Sequence, residues 1–133
     1  MALSKTLKTF LDAQRIPYKV QKHPAVYTAQ EIAAAQHVPG RQLAKCVLLT
    51  TNAGLALAVL PAIQRVDFGK LKSLLKVTRL SLASESDIKN AFPDVEVGAM
   101  SVFGNLYGVP VIMEKSLADS SEIVCNAGTH TDT

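Results

Sequence analysis

The chain has 133 residues, a length that fits one domain rather than two. A hydrophobic share of 48%, a charged share of 19% and a mean hydropathy of +0.19 exclude a disordered tail, a collagen-like repeat and a disulfide-dense miniprotein. The net charge of +3 conceals an uneven distribution, because residues 1–79 carry twelve Lys and Arg against Asp12, Glu31 and Asp67, whereas residues 80–133 carry Lys89 and Lys115 against eight acids. Either one face meets a polyanion, or the two halves attract each other within the fold.

Trp is absent and aromatic residues make up 5%, so the core is expected to be aliphatic. No apolar run approaches the ~18 residues of a membrane span. The N-terminus does not read as a secretory signal. Cys46 and Cys125 each lie inside an apolar run, as small buried hydrophobes do in a reducing cytoplasm, and neither belongs to a zinc-type cluster. A cytoplasmic protein without a metal or cofactor is expected, and 1–133 is read as a single domain because no repeat or linker interrupts it.

In chain order, Ser4 caps a helix whose apolar positions are Leu3, Leu7, Phe10 and Leu11, and Ile16-Pro17 ends it. Tyr18–Lys22 alternates as a strand with one wet face. Thr28-Ala29-Gln30-Glu31 is a capping box that opens an Ala-rich helix over Ala29–Gln36, closed by Val38-Pro39-Gly40. Ala44–Thr50 and Leu55–Leu60 form a hairpin, apolar on both faces and therefore central. Asp67 caps a helix that turns Phe68, Leu71, Leu74 and Leu75 inward and Lys70, Lys72 and Lys76 outward. A short strand over Arg79–Leu82 and a helix opened by Ser84 and stopped by Pro93 follow. Val97–Pro110 holds Gly98, Gly104 and Gly108 and reads as a long shaped loop. Val109–Met113 and Ile123–Cys125 are the last strands, and Asn126-Ala127-Gly128 is a turn. A tight hairpin amid interleaved helices and strands favours an α+β domain with a mixed sheet over a doubly wound parallel one.

Lys45 is the residue out of place, since it begins the central strand and a lysine there needs a partner or water. It either snorkels its amine to solvent or holds a cation at the mouth of a pocket for a phosphate, carbonyl or carboxylate. The Val97–Pro110 loop can bring backbone groups close to a ligand, but it carries neither a Walker nor a dinucleotide-binding fingerprint. His23 reads as a loop residue and His37 as a helix end. His130 lies in a polar stretch after the last strand. No GxSxG elbow, HExxH motif or RNA-stacking aromatic set occurs.

The run YTAQEIAAAQHVPGRQLAKCVLL from Tyr27 to Leu49 resembles the entry segment of the YbaK-like, prolyl-tRNA synthetase-associated editing domains. LALAVLPAIQRVD, VGAMSVFGNLYGVPVIMEKSL and EIVCNAGTHTDT follow in the family's order, so that the resemblance covers about residues 18–133. It implies a mixed, barrel-like sheet flanked by helices. It also implies trans-editing, the hydrolysis of the ester that joins a wrong amino acid to tRNA. Lys45 falls on the family's essential lysine. Gly98-Ala99-Met100-Ser101-Val102 falls on its GxxxP loop, with Val102 in place of the proline, and this loop together with Gly104 is expected to border the aminoacyl pocket. Glu114 stands where an aspartate is expected, and His130 matches a histidine of the most similar subgroup. The chain ends at Thr133, where relatives continue with another element. The implied substrate carries a small amino acid (Ala, Ser, Thr or Cys), and the implied partners are a tRNA acceptor end and an aminoacyl-tRNA synthetase. Neither a membrane nor specific DNA binding is expected. Two rivals remain, a non-catalytic acceptor-end or synthetase-docking module and a hydrolase of free metabolite esters.

Overall fold

The computed structural model describes residues 5–25 and 28–133. Leu3, the Ser4 cap and the Tyr27 that begins the family-like run lie outside them.

Helix α1 spans Lys5–Ala13 and buries Leu7 and Leu11, one turn apart, against Ala127, while the Phe10 ring lies 5.2 Å from that of Phe103. Helix α2 spans Ala29–Ala35 and begins with the expected capping box, in which the Thr28 hydroxyl accepts from Glu31 N at 3.1 Å and Thr28 N donates to Glu31 Oε1 at 3.2 Å. It packs Ile32 and Ala33 on Leu43 and Ala62. Strands β1 (Ala44–Thr51) and β2 (Gly54–Pro61) form the central antiparallel hairpin, with Lys45 opposite Leu60 and Val47 opposite Ala58. Its two-residue turn, Asn52-Ala53, is anchored from outside, because Asn52 Oδ1 accepts from Thr78 N and Arg79 N at 3.0 Å each. Helix α3 (Phe68–Leu75) is capped by Asp67, and helix α4 (Glu85–Ala91) by Ser84 with Asp87 completing a second capping box. Strands β3 (Leu80–Leu82) and β4 (Val111–Met113) flank the hairpin, and helix α5 covers Lys115–Ala118.

The four-stranded sheet has the order β3-β1-β2-β4. β1 pairs antiparallel with β2 and β3, and β2 pairs parallel with β4. The fold is the expected α+β domain with a mixed sheet flanked by helices, and the sheet is open rather than closed into a barrel. Alternation along β1 and β2 sorts the side chains into two layers. Ala44, Leu48, Leu57 and Val59 join Phe92, Met100, Val102, Val109 and Leu117 in the main core, with Cys46 packed against it. Lys45, Val47 and Leu60 take the opposite face, the one that carries Leu43 and Ala62 beneath α2.

Three helices end on non-glycine residues in the left-handed conformation: Arg15 (φ 55°), His37 (φ 55°) and Lys76 (φ 56°). The next N–H in each case reaches back five residues, from Ile16 to Leu11 O (3.1 Å), Val38 to Ala33 O (2.9 Å) and Val77 to Lys72 O (3.1 Å). His37 thus closes α2 through its backbone. Arg15 and Lys76 place charge beside helix C-termini, where the dipole favours it.

Several expectations need correction. Tyr18–Lys22 is not a strand of the sheet. Only the segment around Lys22 pairs, with the C-terminus: Gln21 and Thr133 exchange two backbone bonds of 2.9 Å, and His23 N donates to Thr131 O at 2.9 Å. Tyr18 and Val20 stay over a third exposed, although the Tyr18 hydroxyl donates to Asp12 Oδ1 at 3.0 Å. Ile123–Cys125 shrinks to one parallel bridge, Val124 to Leu43, since the chain touches β1 only at its first residues. Helix α3 has no fully buried residue, and Leu74 is 66% exposed. At about 100° per residue, Lys70 and Lys72 stand roughly 200° apart, so the three lysines do not form one face. His23 is buried, with Nδ1 donating to Pro24 O at 2.8 Å.

Candidate active site

Lys45 is the second residue of β1 and is half-buried. Among the described residues its ammonium has neither ion pair nor hydrogen bond. Burial lowers its pKa, and the nearby Arg65 guanidinium lowers it further. An ammonium held in partial burial beside a second cation gains from any anion that arrives, which suits a carboxylate, a phosphate or a developing oxyanion.

The glycine-rich loop and the C-terminal segment make one unit. Glu96 N donates to Gly128 O at 2.9 Å and Gly128 N donates to Ala99 O at 3.0 Å. His130 N donates to Glu96 Oε1 at 2.6 Å, and the ring Nε2 donates to Val97 O at 2.8 Å. That ring bond fixes the proton on Nε2 in the neutral imidazole, so Nδ1 carries the lone pair. Gly98 has φ +87°, a conformation L side chains rarely adopt, and a Cβ built there would sit 3.7 Å from His130 Cε1.

Of the expected loop residues, Gly98 alone is exposed; Ala99, Met100, Ser101 and Gly104 are buried. Met100 and Val102 belong to the main core, and Ser101 Oγ accepts from Phe103 N at 3.3 Å. Gly104 opens a 3-10 turn packed on the sheet, where an added Cβ would meet Val111 Cγ2 at 2.9 Å and the Val109 carbonyl oxygen at 3.0 Å. Gly104→Ala is therefore expected to destabilise the fold by about 1–3 kcal/mol, because a backbone oxygen cannot step aside as a flexible side chain can. Chemical denaturation checks this, and an unchanged midpoint would show that the turn shifts freely.

The structure brings His130 together with Gly98 and Glu96, whereas the neighbours it gives Lys45 are Leu60 and Arg65. Two hollows bear on the site. The larger, about 570 Å³, lies between α1, residues 16–21 and residues 121–127; Val102 of the glycine-rich loop lines it, whereas Lys45, Gly98–Ser101, Gly104 and His130 do not. The smaller, about 450 Å³, is lined by Leu60 and Arg65 but not by Lys45 itself. Glu114 caps α5, with Oε2 accepting from Ser116 N at 2.8 Å and from the Ser116 hydroxyl, and the hydroxyl bond is the main cause of its lowered pKa. Cys46 and Cys125 are free thiols held up by burial, Cys46 well above its usual value with Cys125 adding to the effect, so neither supplies a thiolate nucleophile.

Sequence reasoning missed Arg65, Glu96 and the buried Asp132. Arg65 stands alone after a strand, and neither acid belongs to a motif, so nothing in the sequence marks them.

A family profile described as the aminoacyl-tRNA editing domain matches residues 23–133. The chain belongs to that family. A search of curated protein sequences finds no match. Among solved structures, the editing domain resembles a protein proposed to be a trans-editing enzyme for prolyl-tRNA synthetase, with TM-score 0.83 at 21% identity over 97% of this chain and 82% of that one. A scaffold protein used for computational epitope backbone grafting gives TM-score 0.82 at 21% identity with the same coverages. A hypothetical protein known from its crystal structure gives TM-score 0.82 at 16% identity over 96% and 85% of the two chains. At these identities the likeness concerns the fold. Editing of mischarged tRNA is the function that the family match supports for this domain. No helix among the described residues is long and apolar enough to cross a membrane.

Proposed function

We propose that this editing domain is a trans-acting aminoacyl-tRNA deacylase that hydrolyses the ester between a small amino acid (Ala, Ser, Thr or Cys) and the terminal adenosine of a mischarged tRNA. The observation that carries the reading is the half-buried Lys45 ammonium, without ion pair or hydrogen bond among the described residues, on the central strand of a chain whose residues 23–133 match the editing family. Ester hydrolysis passes through a tetrahedral oxyanion, and a fixed cation lowers that barrier when it stands where charge develops. Lys45 serves there or at the terminal phosphate. An electrostatic and positioning role is preferred over that of a base, because a neutral lysine demands a large desolvation shift and Lys45 is only half-buried. Water is activated by a hydroxyl of the terminal ribose. Gly98 is the part of the Gly98–Ser101 loop that the substrate amine can reach through backbone groups, and His130 shapes the pocket wall or hydrogen-bonds the ester. Ala99, Met100, Ser101 and Gly104 support that wall from beneath. A pocket tells substrates one methylene apart by only ~1–3 kcal/mol, which is why editing follows synthesis.

A panel of tRNAs mischarged with small amino acids tests the proposal: ester loss should accelerate for at least one of them. Turnover of simple aminoacyl esters equal to that of mischarged tRNA would instead indicate a metabolite hydrolase, and binding without turnover an acceptor-end binding module.

The excess of Lys and Arg in residues 1–79 predicts salt-dependent binding. Affinity for tRNA should fall linearly on a log-log plot with a slope of about −0.7 to −0.9 per phosphate neutralised. A flat response would make the charge split an internal feature of the fold.

A further inference from the structure

The smaller hollow has a composition that the fold alone does not require. Its floor includes Leu60 and Ile112, and Arg65, Lys70 and Lys115 stand around it. Leu74, 66% exposed, projects at its edge, although its helical spacing would suit a core position. Two acids also line it, but each is occupied at a helix start: Asp67 Oδ1 accepts from Lys70 N at 3.0 Å, and Glu114 Oε2 accepts from Ser116 N at 2.8 Å. Among the described residues none of the three cations forms an ion pair. The hollow is joined to Lys45 through Leu60, its partner across the hairpin, and through Arg65.

Cations around an apolar floor match one chemistry, a phosphodiester attached to a flat, largely apolar ring. An exposed leucine offers a surface for that ring, and a volume of about 450 Å³ lies within the range of sites for small ligands. We propose that this hollow binds the unpaired ribonucleotide on the 5′ side of the aminoacylated terminal nucleoside, with its phosphate among Arg65, Lys70 and Lys115 and its base against Leu60 and Leu74. The inference rests on the deacylase reading for the placement of the terminal nucleoside at Lys45. It adds that the enzyme grips the single strand next to the ester and not only the ester itself.

The test uses the full chain and two RNA hairpins, one with four unpaired 3′ nucleotides and one blunt-ended, with binding followed by fluorescence anisotropy. The triple variant Arg65→Ala/Lys70→Ala/Lys115→Ala changes exposed side chains only. It should bind the overhang hairpin at least tenfold more weakly, with a salt slope smaller by about 0.7 for the one phosphate no longer neutralised, and the blunt hairpin as the parent does. Leu74→Asp should also weaken overhang binding, and Lys89→Ala, on α4, should not. In the double variant Lys70→Ala/Lys115→Ala, which keeps Arg65 beside Lys45, overhang binding should still weaken while turnover of a 3′-aminoacyl adenosine, which has no 5′ nucleotide, should be unchanged. Parent-like affinity for the overhang hairpin, or an equal loss on the blunt one, overturns the inference. If the parent protein hydrolyses no aminoacyl ester yet its overhang binding responds to the variants, the deacylase reading falls and the nucleotide site stands.

Discussion

Lys45→Ala is expected to reduce deacylation of a susceptible mischarged tRNA by about 100-fold or more in kcat, the scale on which removal of one fixed oxyanion partner acts. The same change should leave the protein folded, with an unfolding midpoint equal to or above that of the parent. The second half follows from the sign of the pKa shift. Burial and Arg65 hold the folded-state pKa of Lys45 below its ordinary value of 10.5. Between the two values the unfolded chain binds more protons than the folded one, so stability rises with pH across that alkaline window. At neutral pH the charged ammonium is therefore a burden on the fold, which its removal relieves. Lys45→Met, which keeps the aliphatic stem over Leu60, should melt at least as high as the parent while remaining inactive. Activity within tenfold of the parent in either variant would remove Lys45 from the mechanism, and loss of activity together with a lowered midpoint would make it a structural lysine.

That one lysine was legible because it breaks a pattern. A strand apolar on both faces, AKCVLLT, has no structural use for an ammonium near its start. The hairpin was legible for a related reason, since two apolar runs around the short connection Thr51-Asn52-Ala53-Gly54 leave few alternatives. The helix caps at Thr28, Asp67 and Ser84 were all visible as local side-chain chemistry, and all three accept the expected backbone N–H. What escaped was tertiary. Leu74 has helical spacing that suits burial, but whether a neighbour lies over it depends on where β4 and α5 pack, which α3 does not encode. Tyr18–Lys22 alternates like a strand, yet a strand needs a partner along its whole length, and the C-terminal residues supply one only near Gln21 to His23.

The site divides along the same line. Gly98 could be singled out because glycines concentrate where backbone must bend, and it does adopt a positive φ. The burial of Ala99, Met100 and Ser101 just beyond it could not be read from the loop. These residues have no helix or strand period, and Met100 faces inward because it joins Phe92 and Val109 in the core. Arg65 became visible only once the loop after β2 was seen to bring it beside Lys45.

Asp132→Ala is expected to have the largest effect on stability among single changes of a polar residue. Asp132 is fully buried at the end of the chain. Its Oδ2 accepts from the hydroxyls of Thr129 and Thr131, and its Oδ1 faces the Lys22 ammonium at 3.6 Å without a hydrogen bond. Its backbone oxygen accepts from Ala127 N at 3.1 Å. The carboxylate thus fastens the C-terminal hook to residues 21–23 and keeps His130 against Gly98. Truncation takes away the acceptor both hydroxyls share, leaving them only each other at 3.3 Å, and costs about 1–3 kcal/mol. Burial alone would raise the pKa of Asp132, but the Thr129 bond, Lys22 and Thr131 outweigh it and hold the pKa below the ordinary 3.8. Its stabilising contribution is therefore complete above that value and lost as pH falls through the folded-state pKa. The parent should lose stability below about pH 4 more steeply than Asp132→Asn, which has no charge to lose. Melting curves between pH 3 and 7 decide the matter. Parallel acid limbs for parent and variant would mean that the hook is held by its backbone bonds alone, and that His130 owes its position to Glu96.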